Sequence, residues 1–153
     1  MASFFTNRAM FKILNRTLDI TTGCKVMLCT AGLTADQDTD FIGSGAGSPG
    51  ATEITATNYT RGFGGAGRKA ATITFAEQDA NNRGVVIIAD ITWTALGGAT
   101  NDTVGFACLV KEVTNDADSE LIAVWDLSPD IPTNGSDVTL DFDATSGNIR
   151  FTT

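Results

Sequence analysis

Val138-Thr139-Leu140-Asp141-Phe142-Asp143 alternates apolar and polar side chains at every step. On a strand, successive side chains point to opposite faces, so this stretch buries Val138, Leu140 and Phe142 and wets Thr139, Asp141 and Asp143. The same grammar runs through most of the chain around it. Upstream, Ile54–Tyr59, Ala71–Phe75, Val85–Trp93, Val104–Val113 and Leu121–Leu127 read as strands, and downstream Ile149–Thr152 adds another. The connections between them are short and polar or glycine-rich, at Asn81–Gly84, Gly97–Asn101, Asn115–Ser119 and Thr133–Ser136. Val85–Trp93 begins apolar on both faces and ends with Asp90 and Thr92 on the outer one, the pattern of a central strand.

Near the N-terminus, Lys25–Thr30 is a further short strand with Val26 and Leu28 on one face, giving about eight strands in all. That many half-buried strands cover one another only by stacking or closing. The expected fold is therefore all-β: a two-sheet antiparallel β-sandwich of jelly-roll type with one N-terminal α-helix. The helix is expected over Ala2–Leu18, where Phe4, Met10, Phe11, Leu14 and Leu18 fall on one stripe at 100° per residue. Arg8, Lys12 and Arg16, four apart, form a basic stripe beside Phe5. Between helix and strands, Ala31–Thr52 reads as a long loop rich in Asp, Gly, Ser and Thr, with a mobile part at Gly43–Gly50. The 153 residues fit one domain, 1–153, without a linker that would divide it.

Composition narrows the chemistry. The formal charge is -8 and the chain has no histidine. An acidic chain is a poor nucleic-acid binder, because neutralising phosphates takes a basic surface. Without histidine the commonest general base and the commonest zinc ligand are both missing. The charge is uneven: residues 1–83 carry 8 basic and 7 acidic side chains, residues 84–153 carry 2 and 11. Acidic turns serve solubility; the alternative is that neighbouring copies, or a host surface, meet an electropositive N-terminal region against an acidic C-terminal one. Cys24, Cys29 and Cys108 are odd in number. A five-residue separation places Cys24 and Cys29 on opposite strand faces, so free, buried thiols are expected. No run approaches the roughly 20 apolar residues of a membrane span. With Arg8 and Lys12 interrupting the N-terminal apolar residues, no signal peptide is expected, which points to a soluble product made in a cytoplasm.

Three motifs come close to known chemistry. Gly62-Phe63-Gly64-Gly65-Ala66-Gly67-Arg68-Lys69 is near a phosphate-binding loop, but Arg68 stands where lysine belongs, Lys69 replaces Ser or Thr, and a strand follows. It reads as a flexible strand connection. Asp36, Asp38 and Asp40 match the first ligands of a calcium loop, but Phe41 replaces its glycine and Gly47 its final glutamate, leaving at most a weaker site completed by another acidic loop. Trp93, Trp125, Tyr59 and Phe63 are the aromatics a sugar-binding face would use, although Trp93 and Trp125 share parity with inward Ile91 and Ala123, which favours core packing. The carboxylates have no spacing that identifies an acid and base pair, and no catalytic residue, metal ligand or cofactor site is assigned.

The order of several segments carries a family likeness. Phe11-Lys12-Ile13-Leu14, Leu18-Asp19-Ile20, Lys25-Val26-Met27-Leu28, Asp40-Phe41, Glu53-Ile54, Tyr59-Thr60-Arg61, Asp79-Ala80-Asn81-Asn82-Arg83, Asp90-Ile91-Thr92-Trp93, Leu121-Ile122-Ala123 and Thr133-Asn134-Gly135 resemble a family of small virion structural proteins of tailed bacteriophages. The resemblance spans nearly the whole chain through many short matches in order. The helix start departs from it, since Thr6-Asn7-Arg8 replaces the family's Asn-Lys type. The resemblance implies a head decoration, or cement, protein on the capsid surface of the virion. Its partners would be the major capsid protein and copies of itself, in a symmetric oligomer such as a trimer at three-fold positions, with no nucleic acid and no membrane. A tail, neck or fibre-base component and a glycan- or receptor-binding module of the virion are the alternatives. Contact residues follow from the residues themselves: Phe5, Arg8, Lys12 and Arg16 as a docking stripe, and the Asp36–Gly50 loop, with Asp36, Asp38, Asp40 and Phe41, as a second contact that orders on assembly.

Overall fold

The computed structural model of the chain describes residues 3–43, 45–81, 83–142 and 149–152. Its strands are β1 (Phe4–Phe5), β2 (Cys24–Cys29), β3 (Lys69–Ala70), β4 (Ile73–Gln78), β5 (Arg83–Ile88), β6 (Ile91–Leu96), β7 (Thr103–Lys111), β8 (Glu120–Pro132), β9 (Ser136–Leu140) and β10 (Ile149–Thr152). Helix α1 is Asn7–Leu14, and a single turn, α2, covers Pro49–Thr52. The fold is all-β, every strand pairing is antiparallel, and one short helix stands at the N-terminus. Asp143, Ser44 and Asn82, which close the opening alternation and belong to two of the expected loops, lie outside the described residues.

A five-stranded sheet in the order β1-β8-β7-β2-β3 forms one layer. The other layer is two sheets rather than one, β10-β5-β4 and β6-β9. The split falls inside the expected strand Val85–Trp93. Ala89 N–H leaves the ladder to donate to Thr72 O at 3.0 Å, and Asp90 Oδ1 accepts from Phe142 N–H at 2.9 Å. Val26, Leu28, Ala107, Leu109 and Ile122 of the large sheet share one buried cluster with Val86, Ile88, Ile91, Trp93, Val138 and Leu140 of the smaller ones.

The large sheet is buried on its far face too. Met27, Cys29, Phe106, Cys108, Val110, Leu121 and Val124 pack there beneath Leu33, Ala35 and Ile42. The long loop is therefore a cover over a second core. Ile42 N–H donates to Ser119 O at 2.9 Å and Thr34 N–H to Gly47 O at 2.9 Å, so the segment is folded onto the sheet within a single chain. Apolar residues on both faces of β2 and β7 need cover on both sides, and this segment supplies it on the far face. Parity divides the cysteines as expected, with Cys24 in the first core, Cys29 and Cys108 in the second, and all three thiols free and buried.

Two further segments depart from the sequence reading. Ile54–Tyr59 is not a strand. After Glu53 bridges Cys29, Thr55 N–H turns to Asp102 Oδ2 at 2.8 Å and Asn58 takes a left-handed φ of 65°. The helix is also shorter than Ala2–Leu18. Phe4 and Phe5 pair with Val124 and Ala123 of β8, and Thr6 caps the helix, its hydroxyl accepting from Ala9 N–H at 3.3 Å and donating to Leu121 O at 2.8 Å. At the other end Asn15 caps α1, and Arg16 takes φ 62°. Among the described residues no helix is long and apolar enough to cross a membrane.

Candidate functional site: the helix and the acidic turn

Helix α1 is turned the opposite way from the expected stripe. Ala9 is its one buried residue and Ile13 packs against the first core. Phe11 and Leu14, three apart on the outer side, are 66% and 74% exposed. Phe4 leaves the stripe to pack against the second core, and Leu18 is buried beyond the helix end. With Phe63, Phe75 and Val113 they are the large apolar side chains exposed among the described residues, and they are the two that share one helix face.

The two contact regions expected from sequence come together beside this face. Asn7 Nδ2 donates to Asp38 Oδ1 at 2.8 Å, and Asn7 N–H to Gln37 O at 2.8 Å. The Arg8 guanidinium lies 3.6 Å from Asp40 Oδ2 and 4.8 Å from the centre of the Phe41 ring. Lys12 pairs with Glu120 at the start of β8, and Arg8 Nε stands 4.0 Å from the same carboxylate. Arg8 Nε and Glu120 Oε2 are buried and have no hydrogen-bond partner among the described residues. Asp36 turns inward on its own loop, accepting from Asp38 N–H and Thr39 Oγ1, both at 3.0 Å.

The residues of the expected docking stripe are divided among these contacts. Arg8 and Lys12 are half-buried and paired within the chain, so they anchor α1 instead of presenting free charge. Phe5 belongs to β1 and packs against the first core. Arg16 lies beyond the helix cap, exposed and without an ion pair among the described residues, so the four-residue spacing does not build one cationic stripe. Asp36, Asp38 and Asp40 turn to different partners, and among the described residues no group of three His, Cys, Asp or Glu side chains is placed to hold a metal ion.

The glycine-rich segment serves a second constellation that sequence reading missed. Arg68, fully shielded, donates through Nη2 to Glu53 Oε2 at 2.7 Å and Asp116 Oδ2 at 2.9 Å, and through Nη1 to Asp116 Oδ1 at 2.6 Å and Glu112 Oε1 at 3.0 Å. Burial disfavours the guanidinium charge, but the bonds to Asp116 and Glu53 outweigh it and hold its pKa above the usual value. Tyr59 donates to Glu53 Oε1 at 3.0 Å and accepts from Leu28 N–H at 3.1 Å. Burial, then the Glu53 charge, push that phenol well up, so it stays protonated. Burial also acts to raise Glu112, yet bonds from Lys25, Gly64 N–H and Arg68 hold its carboxyl below the ordinary 4.5. Gly67 fits between these groups, since a Cβ there would meet the Tyr59 ring at 2.6 Å, and its carbonyl accepts from Trp93 Nε1 at 2.6 Å. The segment thus wraps a buried ion-pair hub.

The four aromatics do not share a face. Tyr59 and Trp93 are core residues, Phe63 is exposed on the glycine-rich segment, and Trp125 is half-buried on β8 in a T-shaped contact with Phe142. Comparison with protein-family models, with curated proteins and with solved structures gives no match.

Proposed function

We propose that this chain is a structural protein of a tailed-bacteriophage particle, a decoration or cement protein that sits on the outside of the head and ties neighbouring major capsid protein subunits together. The observation that carries the proposal is the outward Phe11 and Leu14 pair on a helix fastened to the body through Arg8, Lys12, Asp40 and Glu120. An apolar centre with a polar rim is the general anatomy of a protein interface. The family likeness along the chain supplies the particle as the setting.

In this reading the protein acts by the area it covers. Each copy binds only assembled shell and stabilises it by mass action. About 1–2 kcal/mol per copy is enough when repeated over a lattice, since 1.4 kcal/mol is tenfold. Copies form a symmetric oligomer, with a trimer matching three-fold positions of the shell. The test is rebinding to heads stripped of this protein, followed by heating. Wild-type chain restores genome retention, and Phe11→Asp with Leu14→Asp does not. Equal rebinding by that folded double variant would remove α1 from the contact, and attachment at one pole would move the protein to the tail or neck.

A further inference from the structure

We infer that the seam between the two layers of the sandwich holds a binding site for a neutral carbohydrate, with Trp125 as its platform and Asp141 as an acceptor for sugar hydroxyls. A cavity of about 330 Å³ opens where β8 passes β9, lined by Trp125, Asp126, Thr139, Asp141 and Phe142 above Ala107 of β7. That volume lies at the small end of ligand sites, which run about 300–1,000 Å³.

The two tryptophans explain why the cavity matters. Trp93 is 1% exposed and spends its Nε1–H on Gly67 O. Trp125 has the same inward parity, yet it stands half-buried at the cavity wall, its ring T-shaped to that of Phe142 with centroids 5.3 Å apart and planes at 69°. Trp125 thus packs against Phe142 and still lines the cavity with part of its surface accessible. Carboxylates of Asp126 and Asp141 and the hydroxyl of Thr139 share the lining. Asp141 is exposed, and the Thr139 hydroxyl is hydrogen-bonded to Thr92 Oγ1 at 2.8 Å.

A pyranose has the matching surface: a flat array of C–H groups for the indole and peripheral hydroxyl donors for carboxylates. Phosphorylated ligands and acidic sugars are repelled by two aspartates on a chain of net charge -8. A quaternary ammonium ion is favoured by several aromatic faces around it, and here the lining has two aromatic rings that are packed against each other in a T-shaped pair. The inference does not depend on the particle reading.

The test uses the full chain against an array of neutral oligosaccharides, with sialylated and uronate-bearing oligosaccharides and tetramethylammonium as comparison arms. A neutral glycan binds, with affinity little changed by salt. Asp141→Asn, a surface change that leaves the fold intact, weakens it about tenfold, the loss of one charge-assisted hydrogen bond. Trp125→Phe reduces binding and Trp125→Ala abolishes it. Absence of any neutral binder overturns the inference. So does equal binding by Asp141→Asn and Trp125→Phe, or binding confined to acidic glycans or to tetramethylammonium. Head attachment is scored separately, so failure of either reading is seen without the other.

Discussion

Arg68 Nη2 and Glu53 Oε2 meet at 2.7 Å with both side chains fully withdrawn from solvent. The guanidinium joins carboxylates that enter from distant parts of the chain, Glu53 before the glycine-rich segment and Glu112 and Asp116 after β7. Removing it strands buried negative charge. Arg68→Met is expected to cost about 3–5 kcal/mol, the usual penalty for breaking a buried pair from one side. Urea unfolding measures it. A loss under 1 kcal/mol would mean that water reaches the carboxylates.

The same hub sets an acid limb to stability. The folded-state pKa of Glu112 lies below its ordinary 4.5, so its contribution is fully present above that value and is lost as pH falls through the lower folded value. Melting temperature should therefore be flat near neutrality and fall as pH drops below about 4.5. In Glu112→Gln the melting temperature is lower at neutral pH and the acid fall is shallower. An unchanged acid slope in that variant would assign the limb to other carboxylates.

The thiols give a third expectation. Burial raises the Cys24 thiol to about 11. The Cys108 thiol is raised by its hydrogen bond with Cys29, 3.8 Å away, and by burial. Native protein at mild alkaline pH should be inert to an aromatic disulfide reagent, and all three cysteines should react once it is unfolded in denaturant. Rapid native modification of Cys29 or Cys108 would show that the cover over the second core opens readily.

The seat of α1 makes a fourth. Arg8→Glu with Lys12→Glu sets two new carboxylates against Asp40 and Glu120. About 1–3 kcal/mol should be lost, with faster hydrogen exchange at Ala9 and Met10 while the β7 and β8 amides stay protected. Unchanged exchange would mean that Ala9 and Ile13 hold the helix without the ion pairs.

Local alternation carried the strands. Val138, Leu140 and Phe142 are buried as read, and Cys24 and Cys29 divide between the faces of β2 as their spacing requires. The far core was legible only indirectly. The unbroken apolar run Val26-Met27-Leu28-Cys29 signals burial on both faces, but nothing local says that Leu33, Ala35 and Ile42 supply the second cover. Periodicity misplaced α1 because helical winding cannot see that Phe4 and Phe5 pair with β8 or that Arg8 and Lys12 have carboxylates waiting at Asp40 and Glu120. The Arg68 hub left no sequence signal, since its partners lie 15, 44 and 48 residues away.

The proposed particle role rests on where Phe11 and Leu14 point once the protein is in place. An electron cryo-microscopy map of a phage particle carrying this chain tests that most directly. The account predicts copies repeated over the head shell, with α1 turned inward and Phe11 and Leu14 covered by the capsid protein. Copies confined to the tail or neck, or on the head with α1 facing solvent, would contradict it.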